Sequence, residues 1–394
     1  MRSDATTTTL SHIPLSVPQI GGKEWVYVKE CLDTGWVSSV GSFVDRFEET
    51  CAELVGARYG VATSSGTAAL HIALLLAGVK PDDEVLVSAL TFIAPANAVR
   101  YVGAWPVFID AEPRYWQMDA GRLHFFLENE CRRVDGELRN MQTGRRVSAI
   151  LPVHILGHPC DMDAIAELAH RYELQVVEDA TESLGARYKG RRLAGDGRLA
   201  CLSFNGNKLV TTGGGGMILT DDEQLARHAK YLTTQAKDDP VEFVHGEIGF
   251  NYRLTNVQAA IGCAQLERLE EYLLIKRVIA TRYRQALAAL AGITVPSEAP
   301  WARSAWWLFT VVIDPERFGC DSRTLMTRLR ADHIETRPLW QPLHLSRPHV
   351  RAGQPPCPVA EDLHRRALSI PCSVGLAESD QMRVVAGIRA ARAV

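Results

Sequence analysis

Short apolar runs alternate along the chain with segments of helical period, and this alternation predicts the order of strands and helices. Runs typical of buried strands lie at residues 59–63, 83–87, 107–109, 147–153, 176–177, 199–204, 217–220 and 306–313. Amphipathic helices are predicted at residues 20–32, 43–55, 68–77 and 163–171. Strands that alternate with helices favour an α/β fold, with a mostly parallel sheet covered by helices on both faces.

Three longer segments divide the chain. Residues 1–12 are predicted to be a flexible tail, and residues 13–270 a large domain with an N-terminal arm and a helix-rich insertion at about 120–147. A helical stretch from residue 256 to about 291, capped by Thr255 or Asn256, is expected to link two lobes. Residues 271–394 would then supply a linking helix and a small C-terminal α+β domain.

The stretch from residue 176 to 217 combines ionisable groups with strand ends. Asp179 follows an apolar run, and ligands of α/β sheets bind where strands end. After the strand at 199–204, the turn at 205–207 would bring Lys208 into the same cleft. The alternative is that both side chains are solvated surface groups. The four glycines at 213–216 are interpreted as a tight turn beside Lys208, because no Lys-Ser or helix follows them.

A second feature lies at residues 59–78, where a strand leads into a helix. Ser65, Gly66 and Thr67 stand at the predicted N-terminus of that helix, whose unpaired amides and dipole suit a phosphate. Many helices begin in this way without a ligand, so the motif alone leaves the question open. Phe92, at another strand end, could belong to the core or stack on a planar ligand.

Composition excludes several classes of protein. The 394 residues carry a net charge of -3 without a dense basic run, which argues against a nucleic-acid partner. The nine cysteines are scattered and form no Cys-x-x-Cys pair, so neither disulfides nor a metal site is expected, and His154 and His158 are interpreted as structural. A signal peptide and apolar spans of membrane length are missing, so we expect a cytoplasmic protein without a membrane partner.

Four segments in order carry a resemblance to a known family. They are residues 65–70 (SGTAAL), 178–180 (EDA), 203–208 (SFNGNK) and 249–253 (GFNYR). Together they resemble the sugar aminotransferases of the pyridoxal-phosphate-dependent fold-type I class, and the resemblance extends from about residue 14 to the end. It implies that the cofactor is pyridoxal 5'-phosphate and that the protein is a transaminase.

The resemblance also implies roles for residues of this chain. Lys208 would bond to the cofactor aldehyde and then move the proton, while Asp179 would pair with the pyridine nitrogen. Gly66, Thr67 and Ser203 would hold the phosphate, and Phe92 would stack on the ring. Asn251 would reach the phosphate of the neighbouring subunit, which implies a homodimer with shared active sites.

Two positions depart from the family's pattern. Relatives often carry Gln or His where this chain has Glu182, a residue expected near the cofactor, so a carboxylate there would have to be protonated or otherwise compensated. Gly214 stands where relatives often place Glu, with little consequence expected. Lys208 is not replaced by His, the change that marks the dehydratase branch, so transamination is favoured.

The expected substrates are L-glutamate and a nucleotide-linked 4-keto-6-deoxy sugar. Residues 25–41 and the insertion resemble enzymes that aminate carbon 4 of a UDP-4-keto-6-deoxy-N-acetylhexosamine for nonulosonic acid synthesis. Alternatives are a GDP- or dTDP-linked sugar, amination at carbon 3, or a regulatory protein that binds the cofactor without turnover. Candidate contacts to the sugar nucleotide, chosen from loops, are Trp36, Ser38, Arg253, Arg337 and His344.

Overall fold

A computed structural model describes residues 11–192, 199–239 and 241–392. The helices are α1 Glu24–Thr34, α2 Ser42–Val55, α3 Gly66–Leu76, α4 Ala94–Tyr101, α5 Ala120–Asn129, α6 Met162–Tyr172, α7 Glu223–Thr233, α8 Asn256–Leu266, α9 Leu269–Leu287, α10 Pro315–Phe318, α11 Ser322–Ala331, α12 Pro358–Arg366 and α13 Glu378–Arg392. Among the described residues, none of these helices has the length and apolar character needed to cross a bilayer.

Eighteen strands are found in the described residues, in five sheets. They are β1 Tyr59–Thr63, β2 Glu84–Ser88, β3 Trp105–Ile109, β4 Cys131–Val134, β5 Glu137–Asn140, β6 Val147–Leu151, β7 Gln175–Asp179, β8 Arg187–Tyr188, β9 Arg191–Arg192, β10 Leu199–Ser203, β11 Gly216–Thr220, β12 Lys237–Asp239, β13 Val244–His245, β14 Ile293–Thr294, β15 Ala302–Arg303, β16 Phe309–Ile313, β17 Arg337–Pro338 and β18 Ala367–Ile370.

The largest sheet has the order β1-β11-β10-β7-β6-β2-β3. Strands β10, β7, β6, β2 and β3 are parallel, and β11 runs antiparallel to both of its neighbours. Strands β2, β6 and β11 are buried along their whole length, as expected for a sheet covered on both faces. The sequence prediction of an α/β fold with a mostly parallel sheet is confirmed.

The register between β7 and β10 positions the ends of both strands. Cys201 pairs with Asp179, so Ser203 at the end of β10 lies just beyond the aspartate. The backbone of Asp179 is held on its other side, since its N–H donates to Pro152 and its carbonyl accepts from His154. The carboxyl ends of the parallel strands therefore open at one edge of the sheet, next to the start of α3.

A smaller antiparallel sheet, β14-β16-β18-β17, is formed by residues 293–370. Helix α9 precedes it, and Lys276 of this helix is buried and donates to the backbone carbonyls of Trp307 and Cys372. These bonds tie α9 to the segments that enter and leave the small sheet.

Three local predictions need correction. The insertion after residue 120 is not helix-rich, because α5 is followed by the β4–β5 hairpin. Asp135 and Gly136 turn this hairpin with φ of 51° and 83°, which is the Asp-Gly hairpin signal that the sequence already contained. The first helix begins at Glu24 rather than residue 20.

The long helical stretch is also interrupted, between α8 and α9. The N-terminus of α8 has a full capping box, with Thr255 as the N-cap and Gln258 as its partner. The C-cap of α8 is Glu267, whose carboxylate contacts Tyr27, Lys23 and Arg46. A separate helix, α9, begins at Leu269 and ends at Leu287 rather than at residue 291.

We expect Phe47→Ala to destabilise the large domain strongly. Phe47 is fully buried, and its ring packs edge-on against Phe204 at a centroid distance of 4.8 Å, four residues before Lys208. Truncation of a buried Phe typically costs about 3–5 kcal/mol. The urea midpoint should fall clearly, whereas Phe125→Ala, at a largely exposed ring of α5, should leave it nearly unchanged. Equal midpoints for the two variants would contradict this assignment of the core.

Candidate active site

A cleft of about 430 Å³ opens at the carboxyl ends of β7 and β10. This size is in the usual range for a small-molecule site. The residues that line it include Ser65, Gly66, Thr67, Phe92, Asp179, Thr181, Glu182, Ser203, Lys208, Trp307 and Trp340. The cleft therefore brings together groups that are separated by more than 270 positions in the sequence.

Asp179 is the last residue of β7 and is almost completely buried. Its carboxylate accepts a hydrogen bond from the backbone N–H of Thr181 at 3.1 Å. Burial raises the pKa of Asp179, and the positive charge of Lys208 only partly opposes this effect. The carboxyl group can thus be stabilised as an anion by a further cationic partner in the cleft.

Lys208 reaches the same cleft from a turn that follows β10. The backbone N–H of Lys208 donates to the carbonyl of Asn205. The N–H of Phe204 donates to the carbonyl of Gly215, and the carbonyl of Phe204 accepts from the N–H of Thr212. The glycine segment thus packs as a tight turn beside the lysine, as the sequence predicted.

Glu182 lies 3.7 Å from the Lys208 ammonium, and both side chains are buried. The other carboxylate oxygen of Glu182 accepts from the backbone N–H of Leu156 at 2.7 Å. Burial raises the pKa of Glu182 to about 7 and lowers the pKa of Lys208. Burial thus brings the pKa values of this acid and this amine closer together than they are in water, as is common at catalytic sites.

The start of α3 forms a concave surface beside the lysine. Ser65 is the N-cap, and its hydroxyl accepts from the N–H of Ala68. A Cβ atom at Gly66 would lie 2.8 Å from the Ser203 Cβ, and one at Gly216 would lie 2.4 Å from the Ser65 carbonyl oxygen. The absence of side chains at these two positions lets α3 approach the end of β10, and backbone amides and hydroxyls there form a surface whose chemistry suits an anion.

Phe92 lines the cleft, and its side chain is 54% exposed. Asn251 and Arg253 do not line the cleft of their own chain. They form isolated bridges with Thr234 and Thr63, and the Arg253 guanidinium donates to the Asn251 side chain at 3.3 Å. The Arg253 Nε is buried without a hydrogen-bond partner, so this group is poised for a further acceptor.

The remaining predicted substrate contacts are also distant from this cleft within one chain. Trp36 and Ser38 are exposed in the loop after α1, and Trp36 lines a shallow depression next to Asn256. Arg337 forms an ion pair with Glu335 on the small domain. His344 is mostly buried and contacts Glu361 at 3.0 Å. The structure of one chain does not bring these residues together.

Among the lining residues that the sequence did not predict are two tryptophans, Trp307 and Trp340. Their rings are nearly parallel, with centroids 6.4 Å apart, and the Trp307 Nε1–H donates to the carbonyl of Asn207 at 2.8 Å. The sequence predicts a strand at 306–313 that includes Trp307. The available signal was the cluster of Trp301, Trp306 and Trp307, but nothing in it indicated contact with Lys208.

A buried aspartate at a strand end, a lysine after the next strand and a phosphate-sized helix N-terminus define a class of enzyme. The fold and the site are those of fold-type I enzymes that use pyridoxal 5'-phosphate. The model of the DegT/DnrJ/EryC1/StrS aminotransferase family matches residues 18–389, and the chain belongs to this family.

Individual relatives agree with this assignment. The chain is 40% identical to GDP-perosamine synthase of Caulobacter vibrioides, over 96% of this chain and 98% of that protein. It is 39% identical to the putative pyridoxal phosphate-dependent aminotransferase EpsN of Bacillus subtilis, over 95% and 94% of the two chains. The crystal structure of DesV from S. venezuelae matches with a TM-score of 0.84 and 32% identity, over 94% of each chain. The protein is a nucleotide-sugar aminotransferase with pyridoxal 5'-phosphate as its cofactor.

The residues of the cleft fit this cofactor. A protonated ring nitrogen next to Asp179 would compensate the burial that raises the pKa of this carboxyl group. The surface at Gly66 and Ser203 offers amides and hydroxyls to a phosphate, and the exposed Phe92 ring offers a flat face. Lys208 supplies the amine that an aldehyde needs.

We expect Glu182→Gln to change how stability depends on pH. The pKa of Glu182 is raised to about 7 in the folded chain, so the folded state holds the proton more tightly than the unfolded state does. The contribution of Glu182 to the free energy of unfolding is therefore fully present below about pH 4.5 and is lost as pH rises through 7. The variant should therefore gain stability relative to wild type between pH 5 and pH 8, on the order of 3 kcal/mol. Urea midpoints measured at both pH values check this expectation.

The control for this measurement is Glu49→Gln, at an exposed carboxylate of α2. Its midpoints should follow wild type at both pH values. A difference between Glu182→Gln and wild type that does not change with pH would show that Glu182 is ionised throughout this range.

Proposed function

We propose that this aminotransferase moves the amino group of L-glutamate to carbon 4 of a nucleotide-linked 4-keto-6-deoxy sugar. The observation that carries the proposal is the meeting of Asp179 and Lys208 in one buried cleft of a chain that belongs to this family. A protein that only binds the cofactor would not need an amine with a lowered pKa opposite a buried carboxylate. Transfer therefore fits the site better than regulation.

The chemistry divides between the cofactor and the chain. When bound, the cofactor supplies an electron sink that stabilises negative charge on the substrate carbon. Asp179 would hold the ring nitrogen and favour its protonated form by its negative charge. Lys208 would serve as the base that takes up and returns the proton at its Nζ, and burial favours the neutral amine that this role needs. Glu182 stands 3.7 Å from this amine and can take up or return a proton.

Other residues of the chain would hold and orient the cofactor. Gly66, Thr67 and Ser203 would hold the phosphate at the start of α3, where the amides are not paired within the helix. Phe92 would offer its ring to one face of the cofactor. Asn251, which is exposed and lies beside Arg253, would reach the phosphate of a partner subunit.

This role for Asn251 requires a homodimer with shared active sites. The segment that carries it follows the β12–β13 hairpin, which exposes Val241, Phe243, Val244 and Ile248. Exposed apolar side chains also follow α1, including Trp36, Val37 and Val40. Surfaces of this kind are typical of subunit contacts. In such a dimer, Trp36, Ser38, Arg253, Arg337 and His344 are candidates to bind the sugar nucleotide across the interface.

The nucleotide has two candidates. The resemblance of residues 25–41 and of the insertion favours a UDP-linked N-acetylhexosamine of the nonulosonic acid route. The 40% identity to a GDP-perosamine synthase favours a GDP-linked sugar. Both candidates share the 4-keto-6-deoxy ring, and they differ in the base and in the substituent at carbon 2.

A substrate panel tests the reaction and the nucleotide together. The protein is incubated with L-glutamate and UDP-, GDP- or dTDP-linked 3- and 4-keto sugars, and 2-oxoglutarate and product mass are followed. We expect amination of a UDP- or GDP-linked 4-keto sugar and loss of at least about 10³-fold of the rate in Lys208→Ala, because no other amine replaces the base. Lys80→Ala, at a surface lysine, should retain the rate. Turnover of only a 3-keto sugar, or full turnover by Lys208→Ala, would refute the proposal.

Mixing of two inactive variants tests the shared site. Lys208→Ala and Asn251→Ala chains should each be weakly active, but a mixed dimer would contain one intact site. After statistical exchange, activity should return to about a quarter of wild type, since half of the dimers are mixed and each has one of two sites. Analytical ultracentrifugation first establishes the dimer. Mixed dimers that stay inactive would show that Asn251 does not act across the interface.

A further inference from the structure

The catalytic amine has a second neighbour besides Glu182. The Lys208 Nζ lies 4.0 Å from the centre of the Trp307 ring, over its face. Aromatic faces carry negative electrostatic potential, and a desolvated ammonium within about 6 Å of the centroid of a Trp ring is attracted to it. Trp307 is buried and the Lys208 side chain is only 14% exposed, so water screens this attraction less than it would at the surface.

Trp307 is held firmly in this position. Its Nε1–H donates to the carbonyl of Asn207, the residue before the lysine, and its own carbonyl accepts from Lys276 of α9. Its ring is parallel to that of Trp340. The indole of Trp307 therefore contacts the turn that carries Lys208 and the ring of Trp340, while its backbone carbonyl is bonded to α9.

We propose that Trp307 is a positioning residue that seats the Lys208 amine, together with Glu182, whenever the amine is not bonded to the cofactor. The proposal rests on the role of Lys208 proposed above. During transfer the lysine must leave the cofactor, move a proton and return, and a long flexible side chain would otherwise sample many rotamers. The seat confines the amine between an aromatic face and a carboxylate, within reach of the cleft.

The seat also sets the protonation balance of the free amine. Burial lowers the pKa of Lys208, while Glu182 and Asp179 raise it. These two carboxyl groups, on the turn after β7 and at its end, are the ionisable side chains that the described residues bring to this amine. The Trp307 face acts in the same direction as the carboxylates, because it stabilises only the charged form. Removal of the ring should therefore make the free amine easier to deprotonate.

The test measures the protonation of Lys208 directly. The full-length protein is loaded with pyridoxamine phosphate, which leaves the lysine free, and Lys208 is labelled with a trace of acetic anhydride between pH 6 and pH 11. Mass spectrometry of the Lys208 peptide gives the midpoint of the labelling profile. We expect the midpoint of Trp307→Leu to lie about one pH unit below wild type, and that of Trp307→Phe to lie between them.

The matched control is Trp306→Phe. Trp306 is equally buried but its ring packs on Phe309, so its midpoint should equal that of wild type. A Trp307→Leu variant with native circular dichroism and a wild-type midpoint would overturn the proposal. If the Leu variant does not fold, Trp307→Phe decides, and a midpoint equal to wild type overturns it. Because this measurement needs no turnover, failure of the substrate panel and failure of the seat remain distinguishable.

Discussion

Three ionisable side chains share one buried space in this enzyme, and the cost of burying charge governs the arrangement around them. Asp179, Glu182 and Lys208 cannot all be charged in a low-dielectric cleft without mutual compensation. Burial moves the pKa of both carboxyl groups up and that of the amine down, so each group is brought nearer to neutral pH. The pKa shifts that come with burial cost folding free energy, and the same shifts suit these groups to proton transfer.

The sheet supplies the precision that this arrangement needs. Parallel pairing of β7 with β10 fixes Asp179 opposite Cys201, and the turn after Ser203 then aims Lys208 back into the cleft. Close approach at Gly66 and Gly216 brings the start of α3 against the same strand end. Regular backbone geometry thus sets the spacing between Asp179 and the start of α3, the two ends of the cleft.

The C-terminal part of the chain contributes to the cleft through the packing of two tryptophans. Trp307 connects Lys208 to α9 and, through Trp340, to the segment after β17. A movement of the segment that carries Trp307 would therefore change the contact between its ring and the Lys208 amine. This connection explains why the cleft cannot be understood from the large domain alone.

The sequence by itself determined the alternation of strands and helices, the strand-end position of Asp179, the turn before Lys208 and the capped start of α3. These features depend on local period, turn residues and helix caps, which are properties of neighbouring positions. Local patterns did not predict the β4–β5 hairpin, although its turn is Asp-Gly, or the break in the helical pattern between α8 and α9. Only the tertiary structure decided that Glu182 and Trp307 flank the amine, and that Arg337 and His344 lie outside the cleft of one chain. The reason is physical: Glu182 and Trp307 lie 26 and 99 positions from Lys208, and packing between separate segments of the chain, which no local pattern encodes, sets these distances.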